Sequence, residues 1–528
     1  MNKYFQKFLS LNKKIYKEYG KPKKNLFLID RGRYPHAFYL AITAVALNKK
    51  YKCNTIIFSE KKENHNIIDF YKSFGFRKFY FGIKIFFLIT KFNIVIKTLL
   101  DSIKSIFIIK YFGFDKFINE FKIKGINIGD LIYDQSIRLE HRYLNPKVDI
   151  KFIQILLVTI FKMHDFLFLF EKYKPKIVLV STSGKAGNVG ITTRIGAYKK
   201  IKVIELSNSQ RNECYYIIHN YFRIQFGKNL MLQKKAKSKE FIDYTKNVDD
   251  RFLRNFFNDR SKATAILNMT GPNDLKNDQS RIFINKEQLL KKINLSGNAK
   301  IKKIILVAPH AFSDSPHDNG LDMIFSDYYS HLKETLIFID REANTENIVW
   351  LVKPHPSSVI YNEIGIVEEL VKKIDNPKIL MCPKKINSYN LSFICDNVIT
   401  LRGTIGLEFP CQRKYSITAG IAPYSNLGLS FQPKNKKKYF DLIKNIIKLK
   451  KLTKKQSFKA KKILYYFETK KQHNRLKNSD IFQEFVSKVN ISGDESKMFT
   501  KKLIQNYQRK ISFDHDSYYK DVIKKFKI

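Results

Sequence analysis

The stretches WLVKPHPSS, residues 350–358, and TLRGTIGLEFP, residues 400–410, decide the fold of the C-terminal half. Each begins in a short apolar run that predicts a buried strand, and the second continues into a helix. Ligand-binding loops of open α/β sheets follow the carboxyl ends of such strands. We therefore expect both loops at one edge of a parallel sheet, joined there by AGIAPYSNLGLSF, residues 419–431.

Strands and helices alternate on both sides of these loops. Predicted strands cover residues 303–307, 348–352, 378–381, 397–400 and 415–418, and predicted helices cover 321–343, 360–374 and 404–412. Regular βα repetition indicates a parallel sheet with right-handed crossovers.

The N-terminal half has the same alternation. Predicted strands cover residues 25–30, 54–59, 175–181 and 202–206, with helices at 36–48 and 192–198 and a glycine-bearing loop at 182–190. A chain of 528 residues is too long for one ordinary core. We therefore predict two Rossmann-like domains with parallel sheets facing across a cleft. Their predicted bounds are 1–260, with a helical insert near 79–172, a linker at 261–300, a second domain at 301–435, and basic helices at 436–528.

The net charge of +50 comes from 97 Lys and Arg against 47 Asp and Glu. Such an excess either covers a solvated surface or attracts polyanions, namely nucleic acid, an anionic membrane face, or phosphorylated and acidic sugars. The sequence has no zinc-finger spacing, no RNP-type aromatic motif and no basic region joined to heptads. We therefore expect no nucleic-acid partner, and the membrane and the anionic ligand stay open.

Two apolar segments are long enough to suggest a membrane. Residues 79–114 are interrupted by Lys84, Lys91, Lys97, Asp101 and Lys104, which leaves no uncharged span of about 18 residues. This run suits either a buried amphipathic helix pair or a helix lying on an anionic membrane surface. The apolar segment 152–170 is predicted to form a helix in the protein core.

The cysteines and the N-terminus bear on the compartment. The five cysteines are scattered and form no C-x-x-C pair, which is typical of reduced, buried thiols. The first 21 residues break their apolar positions with lysines and lack the core of a signal peptide. We expect a cytoplasmic protein.

The loop VKPHPSS has the chemistry of an anion site. Pro354 and Pro356 hold the backbone extended, so His355 and Lys353 are presented at a strand end with little freedom. A proline-rich turn with a satisfied histidine is the structural alternative.

The loop TLRGTIGLEF adds further ligand-binding groups. Thr404 is placed to cap the following helix, and Gly403 allows the backbone to approach a phosphate or carboxylate. Arg402 supplies a bidentate donor. Glu408, one turn after Thr404, is placed to accept hydrogen bonds from sugar hydroxyls, or else is a surface carboxylate that compensates nearby lysines.

A third loop, VAPHAFSDSPHDNG at residues 307–320, gathers His310, Asp314, His317 and Asp318. These are metal-ligand types, but their spacing matches no common metal motif. Asp314 is better placed as a catalytic carboxylate at a strand end, or else as a loop cap. Neither a Walker A loop nor a G-x-G-x-x-G fingerprint is present, since Leu179 stands where the first glycine of a Walker A loop would be.

Taken in order, KPHP, TLRGTIGLEF and APYSNLGLS resemble the C-terminal domain of the capsular polysaccharide Kdo transferases and of the wider surface-polysaccharide biosynthesis group. IGDLIYDQSIR, residues 128–138, and GITTRIGAYKKIKVIEL, residues 190–206, resemble that wider group as well. The resemblance implies a GT-B fold and a glycosyltransferase of bacterial capsule or lipopolysaccharide synthesis. The domain at 1–260 would then serve the acceptor, and the domain at 301–435 would bind the donor.

The resemblance also implies residue roles. Asp314 and His355 would be catalytic, and the donor-binding set would be Lys353, Ser357, Ser358, Arg402, Gly403, Thr404, Glu408 and Tyr424. The donor would be a nucleotide-activated acidic sugar such as CMP-Kdo, used without cofactor or metal, and the acceptor a glycan or glycolipid. The protein would work in the cytoplasm or peripherally on the cytoplasmic face of the inner membrane. Arg402 and Leu427 depart from the Kdo transferase pattern, which leaves the donor sugar open.

Two other functions fit the same residues. A CDP-alditol phosphotransferase of the teichoic-acid type also uses two such domains and a His-Pro element, and transfers a phospho-alditol. A non-catalytic assembly module on a membrane surface would account for the basic charge and the run at 79–114.

Overall fold

The computed structural model describes residues 3–16, 24–30, 34–59, 65–81, 91–138, 141–181, 187–206, 216–218, 233–234, 236–262, 283–295, 301–317, 323–342, 347–359, 361–384, 386–473, 499–505 and 507–508. The chain forms two compact units. Unit 1 takes residues 1–132, 148–224 and 471–528, and unit 2 takes residues 133–147 and 225–470.

Unit 1 is built on a six-stranded sheet. The strands of the unit are β1 (Lys24–Asp30), β2 (Cys53–Ser59), β3 (Lys78–Phe81), a small antiparallel pair β4 (Lys122–Ile123) and β5 (Ile126–Asn127), β6 (Ile177–Ser181), β7 (Lys202–Leu206) and β8 (Tyr216–Ile218). The main sheet has the order β3-β2-β1-β6-β7-β8 and is parallel except where β8 pairs with β7. This is the doubly wound Rossmann order.

The helices that begin in unit 1 are α1 (Lys3–Ile15), α2 (Tyr34–Tyr51), α3 (His65–Ser73), α4 (Phe92–Glu120), α5 (Gly129–Ile137), α6 (Ile150–Tyr173) and α7 (Gly187–Tyr198). Successive residues of β1 point to opposite faces of the sheet. Leu26 and Leu28 pack in one core with α1 to α3, whereas Phe27 and Ile29 pack in the other with α4 to α7. Residues of the C-terminal segment 499–507 complete the first core.

Helix α6 is the one helix, within the described ranges, that is long and apolar enough to cross a membrane. Most of it is buried, and its side chains, including Phe152, Ile160 and Phe170, belong to the second core of unit 1. The Asp149 carboxylate accepts a hydrogen bond of 2.9 Å from the Phe152 backbone N–H and so begins the helix. The prediction of a core helix over residues 152–170 is confirmed.

The apolar run 79–114 is not helical throughout, as a helix pair would require. Its first residues lie in β3, residues 82–90 fall outside the described part, and α4 takes the remainder. Gly113, with φ of 79°, interrupts the helix, because this conformation costs glycine little.

Unit 2 contains a second sheet of six strands, all parallel. They are β9 (Lys303–Ala308), β10 (Ile348–Val352), β11 (Ile379–Met381), β12 (Asn397–Thr400), β13 (Ser416–Thr418) and β14 (Ser430–Phe431), in the order β11-β10-β9-β12-β13-β14. Continuous apolar runs such as Ile304 to Val307 form the central strands, because both faces are covered. The predicted α/β class with two Rossmann-like parallel sheets is confirmed.

The helices of unit 2 are α8 (Lys239–Thr245), α9 (Asp250–Lys262), α10 (Lys286–Lys292), α11 (Tyr328–Arg341), α12 (Ile366–Ile374), α13 (Ser388–Ile394), α14 (Ile405–Cys411), α15 (Lys436–Lys444) and α16 (Lys454–His473). Two predicted starts differ from the structure. Helix α11 begins at 328, not 321, because Asp327 caps it through the Ser330 N–H at 2.7 Å. Helix α12 begins after Gly365 and not at 360.

The division into units differs from the predicted domain bounds of 1–260, 261–300, 301–435 and 436–528. Phe241 and Leu253, from the predicted first domain, pack in unit 2 against Tyr424 and Tyr466. Helix α10 lies within the predicted linker, yet its Leu289 is buried in the core of unit 2. Residues 263–282 and 296–300 of the predicted linker, and residues 182–186 of the glycine-bearing loop, lie outside the described part of the chain.

Candidate active site

The candidate site lies at the carboxyl-terminal edge of the unit 2 sheet. Strands β9 and β12 are neighbours there, while the chain continues from β9 toward β10 and from β12 toward β13. The loops that follow these two strands therefore diverge, which is the switch point where open α/β sheets bind ligands. His310 follows β9, Thr400 ends β12, and Gly403 comes three residues after Thr400.

His310 is held in an aromatic stack. Its ring centroid lies 4.7 Å from that of Tyr328 and 5.6 Å from that of His355, with the histidine rings only 15° from parallel. Burial lowers the pKa of His310 well below its usual 6.5, and the nearby charge of Arg402 lowers it further. His310 is therefore neutral at pH 7.

Two buried polar atoms lie beside Gly403. His310 Nε2 and Thr400 Oγ1 are without a hydrogen-bond partner among the residues that the structure describes. A Cβ atom on Gly403 would lie 2.9 Å from Thr400 Oγ1 and 3.6 Å from His310 Nε2. Buried polar atoms nearly always make a hydrogen bond. The pair is consequently suited to bond a polar ligand, and glycine keeps the approach open.

His355 is fixed in one tautomer by its own loop. The Ser357 backbone N–H donates to His355 Nδ1 at 3.1 Å, and Ser358 Oγ donates to the His355 carbonyl at 2.7 Å. Burial lowers the pKa of His355 to about 4. The neutral ring therefore carries its proton on Nε2, where it is a hydrogen-bond donor. Ser357 and Ser358, both predicted to bind the donor, are shown to hold His355.

Lys353 lies at a cavity of about 400 Å³ that also touches Lys292, Lys384 and Glu368. Its ammonium donates to the Ile386 carbonyl at 2.9 Å. Burial raises the pKa of the Cys382 thiol in the cavity wall, and the Lys353 charge partly offsets this rise. The position of Lys353 gives the cavity a fixed positive charge at the ends of β10 and β11.

Arg402 is buried beside the histidine pair. A Cβ atom on Gly420 would lie 3.3 Å from its Nη2, and the Arg402 charge contributes to the lowered pKa of His310. A guanidinium in a low-dielectric site interacts strongly with an anion. The predicted bidentate contact with a donor phosphate stays a prediction.

Tyr424 fixes the backbone of the loop at Gly403. The Tyr424 hydroxyl donates to the Gly403 carbonyl at 2.6 Å. A Cβ atom on Gly406 would lie 2.0 Å from that hydroxyl, so glycine is required there. Tyr424 thus positions the loop, and the direct donor contact predicted for it remains to be tested.

The start of α14 differs from the prediction. Thr404 stands at the N-cap but makes no side-chain capping hydrogen bond, since its backbone is already helical, with φ of −59° and ψ of −26°. An N-cap residue that accepts such a bond typically has extended backbone. Glu408 is buried and not a surface carboxylate; it lies near Tyr424, whose pKa is raised first by burial and then by the Glu408 charge.

Asp314 lies on an exposed turn of the loop after β9. Its carboxylate accepts a hydrogen bond from the Tyr361 hydroxyl. The turn is anchored by Glu363, whose carboxylate accepts from the Phe312 N–H at 2.8 Å and from the Ser313 N–H and hydroxyl at 2.7 Å each. Burial raises the pKa of Tyr361, and the Asp314 charge raises it further.

Residues of α5, and Arg138 directly after it, hold the same loop, and sequence reasoning did not assign them a role. Asp134 binds His317 Nδ1 at 2.6 Å, and Arg138 donates to the Ser313 carbonyl at 3.2 Å and to the Ser315 hydroxyl. Tyr133 donates to the Asp327 carboxylate that caps α11. All of these residues belong to unit 2. In the sequence these residues belong to the motif IGDLIYDQSIR, but the spacing of residues within this motif indicates no function.

His317 has both ring nitrogens engaged, because Nε2 also lies 2.8 Å from the Ser326 carbonyl. Asp318 lies outside the described residues. Within the described ranges there is no group of three or more His, Cys, Asp or Glu residues placed to hold a metal ion.

The predicted residues therefore fall into two neighbouring groups. His355, Arg402 and Gly403 meet around His310, which the sequence placed in the loop but not in the site. Asp314 is placed by contacts with Tyr361, which follows the His355 loop in the chain. A joint catalytic step by Asp314 and His355 stays a prediction.

The match to a protein-family model lies within unit 2. Residues 233–468 match the family model described as capsule polysaccharide biosynthesis protein. No curated protein sequence matches the chain.

Among solved structures, the UDP-GlcNAc 2-epimerase from Neisseria meningitidis bound to UDP-GlcNAc is 11% identical, covering 86% of this chain and 100% of its own, with a TM-score of 0.26. The UDP-N-acetylglucosamine 2-epimerase from Rickettsia bellii is 13% identical, with coverages of 88% and 99% and a TM-score of 0.25. A glycosyltransferase from Rickettsia africae is 14% identical, with coverages of 89% and 100% and a TM-score of 0.25. At these values the three structures carry no argument about substrate or reaction.

Proposed function

We propose that this protein is a glycosyltransferase of bacterial surface polysaccharide synthesis, and that unit 2 binds its nucleotide-activated sugar at the β9–β12 switch point. The observation that carries the proposal is the convergence of His310 Nε2 and Thr400 Oγ1 at Gly403, with the Arg402 charge close to His310. The match of residues 233–468 to the capsule polysaccharide biosynthesis family supports it.

The proposed chemistry is sugar transfer through an oxocarbenium-like transition state. The bond between the sugar carbon and the phosphate oxygen breaks, and the electron pair leaves with the nucleotide phosphate. Arg402 and the His355 Nε2 proton offset the charge that develops on this phosphate, and Lys353 adds a fixed cation at the neighbouring strand end. These cations make a divalent metal dispensable in the proposal.

Asp314 is the proposed general base. Its exposed carboxylate takes the proton of the acceptor hydroxyl as that oxygen bonds to the sugar carbon. In a retaining reaction the same carboxylate would instead attack the sugar and form a covalent intermediate. The Tyr361 hydroxyl, which binds Asp314, orients it for either step.

The finer assignment is an acidic sugar, with CMP-Kdo as the first candidate donor and a glycan or glycolipid as acceptor. The basis is the cationic edge formed by Lys353 and Arg402 together with the resemblance to Kdo transferases. A cytoplasmic location, or peripheral attachment to the cytoplasmic face of the inner membrane, is part of the proposal. The buried thiols of Cys53, Cys382, Cys395 and Cys411 suit a reducing compartment.

The first experiment measures thermal stabilisation by CMP, CDP, UDP, GDP and their sugars. A cognate nucleotide at about 100 times its Kd should stabilise the folded protein by about 2.7 kcal/mol. Gly403→Ala, which crowds Thr400 Oγ1, should abolish most of this shift. Gly428→Ala, where a Cβ atom would meet nothing within 4 Å, should leave it unchanged.

The second experiment measures turnover with the donor so identified. Asp314→Asn should lower kcat at least about 100-fold, as the loss of a general base does. His355→Gln should lower kcat about 100-fold, as the loss of a hydrogen-bond donor to the developing charge does. Near-normal turnover in both folded variants would overturn the assignment. A product joined by phosphodiester bonds would favour the alditol phosphotransferase instead, and the absence of any nucleotide binding would refute an enzymatic role for this edge.

A further inference from the structure

Helix α4 of unit 1 packs against α6 through its polar face. Before the break at Gly113 its buried positions are Thr98, Ser102, Ser105 and Ile109, which recur every three or four residues and so lie on one side of the helix. The hydroxyls of Thr98, Ser102 and Ser105 each donate to a carbonyl of the same helix at 2.7 Å. Because these polar groups are satisfied within the helix, the face can be buried against α6 without further partners.

The opposite face of α4 consists of large apolar side chains that are exposed to solvent. Ile103 is 66% exposed and Phe107 is 54% exposed. The same spacing of three or four residues continues along the helix, so the exposed residues form one stripe. Its members are Phe92, Ile96, Leu99, Leu100, Ile103, Phe107 and Tyr111. From residue 92 to residue 111 the stripe is about 30 Å long, at 1.5 Å per residue.

Basic residues accompany this stripe. Lys97, Lys104 and Lys110 are exposed on the same helix. The acid of this stretch, Asp101, is engaged by His164 Nε2 of α6 at 2.8 Å. The exposed surface therefore combines apolar bulk with positive charge, which is the composition of helices that lie in the headgroup region of anionic bilayers.

A second copy of the chain fits this surface poorly. In a two-fold symmetric contact the same patch meets itself, so the lysines of one copy would face those of the other. Phosphate headgroups instead complement the lysines, while the acyl chains accept the apolar stripe. The net charge of +50 acts in the same direction.

We propose that unit 1 binds an anionic lipid bilayer through the outward face of α4, with the apolar stripe in the headgroup and acyl boundary and the lysines on lipid phosphates. Of the two alternatives that the sequence leaves for this segment, the proposal takes the membrane surface. It does not depend on the reaction proposed for unit 2.

The test is co-sedimentation of the full chain with vesicles of phosphatidylcholine, with and without about 30% phosphatidylglycerol. We expect strong binding to the anionic vesicles and much weaker binding to pure phosphatidylcholine. Ile103→Ser with Phe107→Ser should lower the partition coefficient at least about tenfold, as the loss of two buried apolar side chains predicts. Ile242→Ser with Phe393→Ser is the matched control, because these side chains of unit 2 are similarly exposed, at 59% and 49%.

The charge contribution is measured separately. Replacing Lys97, Lys104 and Lys110 by Gln should lower binding about fivefold per lysine at low salt. The same change at Lys437, Lys438 and Lys444 of α15 alters the net charge equally, and should have a much smaller effect.

Three results would overturn the proposal. They are equal binding to neutral and anionic vesicles, an equal loss in both lysine triples, or unchanged vesicle binding by the Ile103 and Phe107 variant. If that variant instead converts a dimer to a monomer in sedimentation velocity runs without lipid, the occupant of the stripe is a second copy. Nucleotide-induced thermal shifts in the same variants report on unit 2 independently, so failure of either proposal can be recognised alone.

Discussion

Gly406→Ala should destabilise unit 2 strongly, because the new methyl group occupies the position of the Tyr424 hydroxyl. The added Cβ would lie 2.0 Å from Tyr424 Oη and 2.8 Å from Cζ. Tyr424 would have to move and would lose its hydrogen bond to the Gly403 carbonyl. Overpacking a core costs about 1–3 kcal/mol, and leaving the buried Tyr424 hydroxyl without its acceptor costs about 1–3 kcal/mol. Alanine recovers about 0.5–1 kcal/mol as the better helix former, so the net loss is about 1–5.5 kcal/mol.

The assay uses the single tryptophan of the chain. Trp350 is buried in β10, so its fluorescence reports the unfolding of unit 2 in denaturant. Tyr424→Phe alone should cost about 0.5–1.5 kcal/mol, since it removes one hydrogen bond without adding bulk and the Gly403 carbonyl still accepts from the Gly406 N–H. In the double variant the bond cannot be lost twice and the closest contact is gone, so the combined loss should fall short of the sum by about 1–2 kcal/mol.

Gly428→Ala provides the control for glycine replacement itself. Gly428 has φ of 76° and nothing within 4 Å of an added Cβ, so only backbone strain of about 1–2 kcal/mol is expected. A loss for Gly406→Ala no larger than that for Gly428→Ala, or strict additivity with Tyr424→Phe, would refute the role assigned to Tyr424 and Gly406.

Three further outcomes follow from the same contacts. The stability of unit 2 should fall as the pH drops from about 6.5 toward 4. In the folded state the pKa values of His355 and His331 are lowered to about 4 and about 3, so in this range the unfolded chain binds more protons than the folded one. His355→Gln should reduce the dependence of the unfolding free energy on pH, measured by Trp350 fluorescence. Arg138→Ala should lower kcat about 10- to 100-fold with little change in nucleotide Kd, because the Asp314 loop loses its bonds to Ser313 and Ser315, and Arg138→Lys should restore part of the rate. Chelation by EDTA should leave turnover unchanged if the cations of the strand edge offset the donor phosphate; full loss, restored by one divalent ion, would contradict that.

The sheets could be predicted from the sequence because their strands are continuous apolar runs. Apolar runs of this kind, separated by segments with helical periodicity, indicate parallel strands, and they can be recognised without knowledge of tertiary contacts. The helix starts were less accessible. Residues 321–327 have helical composition, yet Asp327 begins α11 by capping it, and the competition between a cap and a longer helix depends on local tertiary contacts such as the bond from Tyr133.

The candidate site could be predicted only in part. The prolines on either side of His355, and the glycine at position 403, indicate loops with constrained backbone. His355 and Gly403 could therefore be predicted as site residues from the local sequence. His310 was assigned no part in the site, because nothing adjacent to it shows that its ring would stack on His355. Asp134 and His317 are 183 positions apart in sequence, and only the fold brings them within 2.6 Å. Contacts of that kind are invisible to spacing within one sequence.

For helix α4, hydrophobic periodicity predicts the helix but not which of its faces is buried. An apolar stripe predicts an amphipathic helix, but the stripe alone does not say whether it faces the core or the outside. The deciding residues are on the other face: Thr98, Ser102 and Ser105 are small and bond to their own helix, so they permit burial that longer polar side chains would prevent. Because that face is occupied by α6, the apolar residues are left outward, and the lysines between them determine which partner can cover them.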